Sequence, residues 1–236
     1  MLEESQAARA RGAEHWWRGR EAATLGLFLG AEHFGQAAGR KKAKPLLSAE
    51  RLYAELLLPD CAPESPPLLR ARALCTAARF GADVPTEAAH SFLQAALAAL
   101  APTEPALLRL AACRAITSLS MRVEPEVVAP AVGVLLPPVA ALLSVPSEDA
   151  ALLVLETLAC LVRRDAAASA AAEPWLTPAL LQLWSARTEE QLTASAVVDV
   201  CIGLAQSAAA LPGLVSRLLP ALAQVLQLQE AADSSP

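Results

Sequence analysis

Few side chains in this chain are of the types that carry catalysis or bind metals, and those few stand far apart. The histidines His15, His33 and His90 are widely separated. Neither H-E-x-x-H nor C-x-x-C occurs, so the spacing that places metal donors on one helix face or one turn is missing, and surface or packing roles are expected. Cys61, Cys75, Cys113, Cys160 and Cys201 show no short pairing. Four of the five lie in apolar runs, where a thiol packs as a small hydrophobe. Their odd number, and the absence of an apolar h-region from the opening MLEESQAARARGAE, point to a reducing intracellular compartment rather than export. No G-x-S-x-G elbow, P-loop or dinucleotide fingerprint is present. Glu156 and Asp199 look like paired acids, but they fall at the same place in successive sequence units, where a solvated polar stripe is the simpler expectation. No catalytic residue, metal ligand or cofactor is expected, and the chain reads as a binding protein rather than an enzyme.

Two further segments mix residue types that bind nucleic acid elsewhere. His15-Trp-Trp-Arg-Gly-Arg-Glu21 combines aromatic and basic side chains, as single-strand binders do. On a helix Trp16 and Trp17 point about 100° apart, so one is expected to enter the core while the other covers a neighbour. Arg40, Lys41, Lys42 and Lys44 form the one basic cluster, within a Gly- and Lys-rich stretch, 35–47, read as a solvated loop. The formal net charge of −5 argues against an electrostatic grip on nucleic acid and suits basic protein partners.

The elements that must position these residues are helices. Apolar residues make up 55% of the chain but aromatics only 4%, and Ala and Leu, both strong helix formers, supply the excess. The residues that strands favour are scarce, so the fold class is all-α. The uncharged run Val127 to Val145 is about long enough to span a bilayer. It contains Pro130, Gly133, Pro137 and Pro138 and has mostly acidic flanks, so a helix buried in a stack is expected and membrane insertion is not.

Repetition is the strongest signal. Pro138-Val-Ala-Ala-Leu-Leu-Ser, Pro178-Ala-Leu-Leu-Gln-Leu-Trp and Pro220-Ala-Leu-Ala-Gln-Val-Leu recur about every 40 to 42 residues, the period of HEAT and armadillo helix pairs. Between them a second column aligns: Leu74-Cys-Thr-Ala-Ala-Arg-Phe80, Cys113-Arg-Ala-Ile-Thr-Ser-Leu119, Leu155-Glu-Thr-Leu-Ala-Cys-Leu161 and Val198-Asp-Val-Cys-Ile-Gly-Leu204. Ser65, Thr103 and Ser147 stand where N-caps are expected, and Thr188-Glu-Glu-Gln191 has capping-box spacing. The pattern predicts helices over 14–34, 48–58, 67–80, 86–100, 104–120, 126–143, 148–164, 175–186, 189–206 and 214–228. These make about five helix pairs of a right-handed α-α superhelix over 1–236. The terminal units look no more polar than the middle ones, as expected for a piece of a longer array or for ends that meet a partner.

The same segments carry a family resemblance. Leu108-Arg109 with Ala112 and Ile116, and Leu69-Arg70 with Ala73, resemble the second helix of a HEAT repeat, in which Arg70 and Arg109 tie adjacent repeats together. His15-Trp-Trp-Arg-Gly-Arg-Glu-Ala-Ala-Thr-Leu-Gly26 is similar to the central Trp-x-x-Arg-Glu-Ala-Ala…Leu-Gly helix of importin-beta (karyopherin-beta) nuclear transport receptors. Ser65-Pro-Pro-Leu-Leu-Arg-Ala-Arg-Ala-Leu-Cys-Thr-Ala-Ala-Arg-Phe80, then His90-Ser-Phe-Leu-Gln94 through Leu153-Val-Leu-Glu-Thr-Leu158, resemble the importin nine branch of that family in order. The resemblance spans roughly residues 14 to 226 and matches central repeats. It implies a receptor shuttling between cytoplasm and nucleus, wrapping basic protein cargo such as histones and ribosomal proteins. Phe-Gly nucleoporins are implied as pore partners, and Ran GTPase is met by repeats outside this chain. Second helices line the inner face of such an array, so Arg72, Arg114, Glu156 and Asp199 are the candidate partner-binding residues.

Overall fold

Proline and alanine set the helix pattern. The structure, a computed structural model, describes residues 2–38, 51–80, 84–145 and 147–233, and every regular element among them is helical. The chain divides into two compact units, Met1–Pro125 and Glu126–Pro236.

The first unit begins with α1 (Leu2–Ala10) and α2 (Trp16–Ala38). A π-helical stretch, Leu52–Leu57, runs on as Leu58–Asp60, and the two together are α3. Pro59 has no N–H to donate, and the wide turn lies just before it. Next come α4 (Pro67–Arg79), α5 (Thr86–Ala99) and α6 (Ala106–Ser120). Helices α2, α4 and α6 pack in succession, and α3 and α5 lie beside them. The buried core is built from Tyr53, Leu57, Leu69, Leu74, Phe92, Leu108 and Ile116, with Tyr53 edge-on to Phe92 at 6.0 Å between ring centres.

The second unit holds α7 (Pro125–Ala140, closed by the 3₁₀ turn Ala141–Ser144), α8 (Glu148–Val162), α9 (Ala166–Ala186), α10 (Gln191–Ala205) and α11 (Leu211–Asp233). Here α8 packs on α10, and α9 packs on both α10 and α11. Leu136, Leu155, Leu158, Leu176, Leu180, Val200 and Leu204 form its core.

Six prolines sit inside these helices without ending them: Pro130, Pro137 and Pro138 in α7, Pro174 and Pro178 in α9, and Pro220 in α11. All but Pro138, which is half-buried, are exposed. A proline frees the carbonyl four residues earlier. Those residues include Glu126, Gly133, Val134, Pro174 and Ser216, all exposed, so their freed carbonyls lie on the wet side. The run expected to be a helix buried on most sides is α7, closed by a 3₁₀ turn, but only one side of it is buried: Val128, Val132, Leu135, Leu136 and Val139 are buried, while Pro130, Gly133, Val134 and Pro137 are exposed. No helix among the described residues is long and apolar enough to cross a membrane.

Several boundaries differ from expectation. The N-terminal helix α1 is additional. Helix α9 starts nine residues before Trp175, because Asp165 caps it by accepting from the Ala167 and Ala168 amides at 2.8 and 3.0 Å. Ser147 caps α8 as expected, accepting from Ala150 N–H at 3.4 Å. Ser65 and Thr103 do not cap: Pro66 and Pro105 take the cap position, each without a side-chain bond. The capping box at Thr188 does not form either. Glu190 is the cap residue, and its carboxylate instead accepts from Thr193 Oγ1 at 2.8 Å and from Arg187 at 3.2 Å. Of the loop expected over 35–47, residues 35–38 close α2, while 39–47, with the basic cluster, lie outside the described residues.

Candidate partner-binding surface

Most, but not all, aligned positions of the second helices have equivalent surroundings; Val198, aligned with Leu74, Cys113 and Leu155, is 54% exposed. Leu74, Cys113 and Leu155 are buried in their column, as are Phe80, Leu119, Leu161 and Leu204 in theirs. Thr76, Ala115, Thr157 and Val200 form a third buried column. Thr76 and Thr157 satisfy their hydroxyls identically, donating to the carbonyl four residues back, Arg72 and Leu153, at 2.8 Å. Between these columns Arg114, Glu156 and Asp199 are exposed. Helical spacing turns these three outward on α6, α8 and α10, whereas Cys75, the aligned residue on α4, is half-buried.

The four candidates have different surroundings. Arg72, on α4, is half-buried and gives its Nε hydrogen to Glu21 Oε1 at 2.8 Å, so it fastens α4 to α2. Arg114, on α6, is exposed. Both guanidiniums lie close enough to Cys75 to pull its thiol pKa down, though burial outweighs them and leaves it raised. Arg70 ties neighbouring elements as expected, through a 2.6 Å ion pair with Glu104 just before α6. Arg109, expected to do the same, is half-buried near the start of α6.

In the second unit Glu156 on α8 and Asp199 on α10 meet across a groove of about 190 Å³. Leu155, Ala159, Ala196 and Arg163 also line it, and Arg163 donates to the Asp199 carbonyl at 3.3 Å. Nearby, α8 and α10 approach closely at Gly203, where an added Cβ would run into Val162 Cγ2. Arg163 was not singled out from the sequence, although it lies seven residues from Glu156 and hence on the same helix face. With two carboxylates against the single cation of Arg163 and apolar lining between, the groove carries net negative charge and suits a side chain with an aliphatic stem and a cationic head.

Within each compact unit, bonds one sequence period apart recur. Ser118 Oγ donates to the Ala78 carbonyl at 2.8 Å, Ser207 Oγ to Ala166 at 2.9 Å, and Arg187 Nη2 to Val145 at 3.1 Å. Arg217 pairs with Glu173. Each joins residues 40 to 44 positions apart, one sequence period.

The N-terminal aromatics are partly exposed rather than core. Arg9 lies over the Trp16 ring at 4.6 Å and Arg18 over Trp17 at 5.9 Å. Trp16, His15 and Glu14 line an open pocket of about 490 Å³ against α1. Among the described residues no group of three or more His, Cys, Asp or Glu side chains is placed to hold a metal ion. No protein-family model matches the chain.

Proposed function

We propose that this chain is a protein-binding segment of a nuclear import receptor of the importin-beta type, its helix pairs stacked as a right-handed HEAT superhelix that carries basic protein cargo. The observation that carries the reading is the exposed polar column of the second helices, which brings Glu156 and Asp199 together in the lining of one groove. Two carboxylates beside an apolar lining match the lysine and arginine side chains of histones and ribosomal proteins. Bonds one sequence period apart, like those within each unit, are what a stacked array would use to tie its repeats together, and the ordered segment resemblance supplies the transport context. In that context Phe-Gly nucleoporins are the pore partners, Ran contacts repeats other than these, and the receptor shuttles between cytoplasm and nucleus.

The test is the affinity of the purified chain for core histone dimers, titrated at two salt concentrations. Saturable binding that weakens at higher salt is expected, because the contact is made by charges near solvent. No saturable binding, or binding indifferent to salt, leaves a helical-repeat scaffold without a transport role.

A further inference from the structure

Helices α4 and α6 carry charge of one sign. Arg70, Arg72 and Arg79 lie in α4, Arg109 and Arg114 in α6, and neither helix holds an Asp or Glu. In the second unit the signs reverse: α8 and α10 contain Glu148, Asp149, Glu156 and Asp199 and no Lys or Arg. The aligned columns sharpen the contrast. On α4, Leu68, Arg72, Cys75 and Arg79 recur at helical spacing and share one face. The aligned residues of α6 are Leu107, Ala111, Arg114 and Ser118. Every charge in these columns is an arginine in the first unit, whereas in the second the same columns hold Asp149, Glu156 and Asp199. A merely solvated helix face mixes both signs. A chain of net charge −5 concentrates arginine here against its overall balance.

Helices α4 and α6 pack directly on one another. Leu68 and Leu107, near the start of each, are 39 and 57% exposed, and Arg79 and Arg114 are exposed further along. Acids outside the two helices answer some of the arginines: Glu104 pairs with Arg70 and Glu21 with Arg72. Arg114 has no ion-pair partner among the described residues. The Arg72 and Arg114 guanidiniums both act on the Cys75 thiol, so α4 and α6 bring their cations to one place. A partner held here must offer anions to the arginines and aliphatic surface to the leucines. The leucines decide which anion. A nucleic-acid strand draws on aromatic platforms beside its cations, and α4 and α6 contain no aromatic residue. An acidic protein segment can lay an aliphatic side chain on Leu68 and Leu107 while its carboxylates reach Arg114.

We propose that the α4–α6 face binds an acidic protein segment with aliphatic residues among its carboxylates, Arg114 making the central contact. This site differs from the groove between α8 and α10 and takes a partner of opposite charge. It stands whether or not that groove takes basic cargo.

Fluorescence anisotropy of the full chain tests the proposal with three labelled probes: a peptide of repeating Glu-Glu-Leu, its Glu-Glu-Ser counterpart, and oligothymidylate of matched length. The Glu-Glu-Leu peptide is expected to bind saturably with a Kd of about 10–100 µM, and the Glu-Glu-Ser peptide about 5-fold more weakly. Arg114→Glu is expected to weaken the first peptide about 10-fold or more, and Arg114→Gln about 5-fold, both with unchanged helical circular dichroism. Arg11→Glu makes the same charge change at an exposed position after α1 and is expected to cost less than about 2-fold. No saturable binding below about 1 mM, indifference to both Arg114 substitutions, or an equal loss with Arg11→Glu each overturn the proposal. Equal binding of the two peptides overturns it as well, because the leucines then select nothing. Oligothymidylate bound more tightly than either peptide makes this a nucleic-acid face instead.

Discussion

A single nitrogen of Arg217, Nη1, lies 2.8 Å from both carboxylate oxygens of Glu173, joining α11 to α9 where the acid is buried and the arginine is half in solvent. The pair lies against Gly213, where any added Cβ would meet the Glu173 carboxylate. The acid has been taken out of water and depends on this one cation.

Removing the cation costs more than the pair contributes. Arg217→Ala leaves Glu173 buried and uncompensated, a loss of about 2 kcal/mol once the partial solvation of Arg217 is allowed for. Glu173→Gln keeps an acceptor for the guanidinium and costs about half as much. Urea unfolding of both variants checks the order, and an Arg217→Ala protein as stable as its parent would sink the claim.

Two glycines make opposite predictions from the same substitution. Gly26 lies inside α2 with nothing within 4 Å of an added Cβ, so Gly26→Ala gains up to about 1 kcal/mol of helix propensity. At Gly203 the added methyl meets Val162, which is buried and branched. Overpacking of about 1–3 kcal/mol exceeds the propensity gain there, and Gly203→Ala destabilises. Thermal melts of the two variants should move in opposite directions, and a shared upward shift contradicts the close approach of α8 and α10.

Asp60 and Arg20 predict a pH dependence. Arg20 Nε and Asp60 Oδ1 are 2.5 Å apart, both side chains buried, and Arg20 Nη2 also donates to the Leu56 carbonyl at 3.1 Å. Burial raises the Asp60 carboxyl above its ordinary 3.8, and Arg20 only partly offsets this. A raised folded pKa means the native state holds the proton more tightly than the unfolded chain. Between 3.8 and the raised value the native state binds more protons, so this group's contribution to stability falls as pH rises through that window. Asp60→Asn removes that falling contribution, so its unfolding free energy should depend on pH less steeply downward than the parent's above pH 4. Parallel stability–pH curves would contradict the assignment.

The groove between α8 and α10 predicts a charge-reversal effect on binding. Glu156→Lys and Asp199→Lys are exposed changes expected to alter stability by less than about 0.5 kcal/mol. Each is expected to weaken histone-dimer affinity by about 10-fold, in line with one or two kcal/mol per charged contact. They should also flatten the salt dependence. Arg72→Ala instead frees Glu21 and should lower stability rather than affinity. If Arg72→Ala and Glu156→Lys behave alike in both assays, the division of roles is wrong.

Much of this was legible in the chain itself. The Pro-Ala-Leu segments located α7, α9 and α11, and the second aligned column located α4, α6, α8 and α10. The start of α9 was not legible, because a run of alanines has no apolar face against which to read a period, and the signal lay in Asp165 alone. Helix α1, polar along most of its length, is held by Ser5 donating to the Trp16 carbonyl at 3.0 Å and by Arg9 over Trp16, tertiary contacts invisible to periodicity. Within the candidate surface, sequence columns found Glu156 and Asp199. They could not show that Arg72 is committed to Glu21, since that partner lies on a helix outside the aligned columns.

The bonds that join one helix pair to the next also bear on how the chain acquires its structure. Of the ties described, the farthest-reaching, Arg72 to Glu21, closes only 51 residues. A chain wired this way has low contact order, and loop-closure entropy never accumulates across its whole length. Within each compact unit a helix can settle onto those before it as it leaves the ribosome. Damage to one tie, such as Glu173 with Arg217, should then loosen its immediate neighbours first, with amide exchange quickening around α9 and α11 before it does near α2.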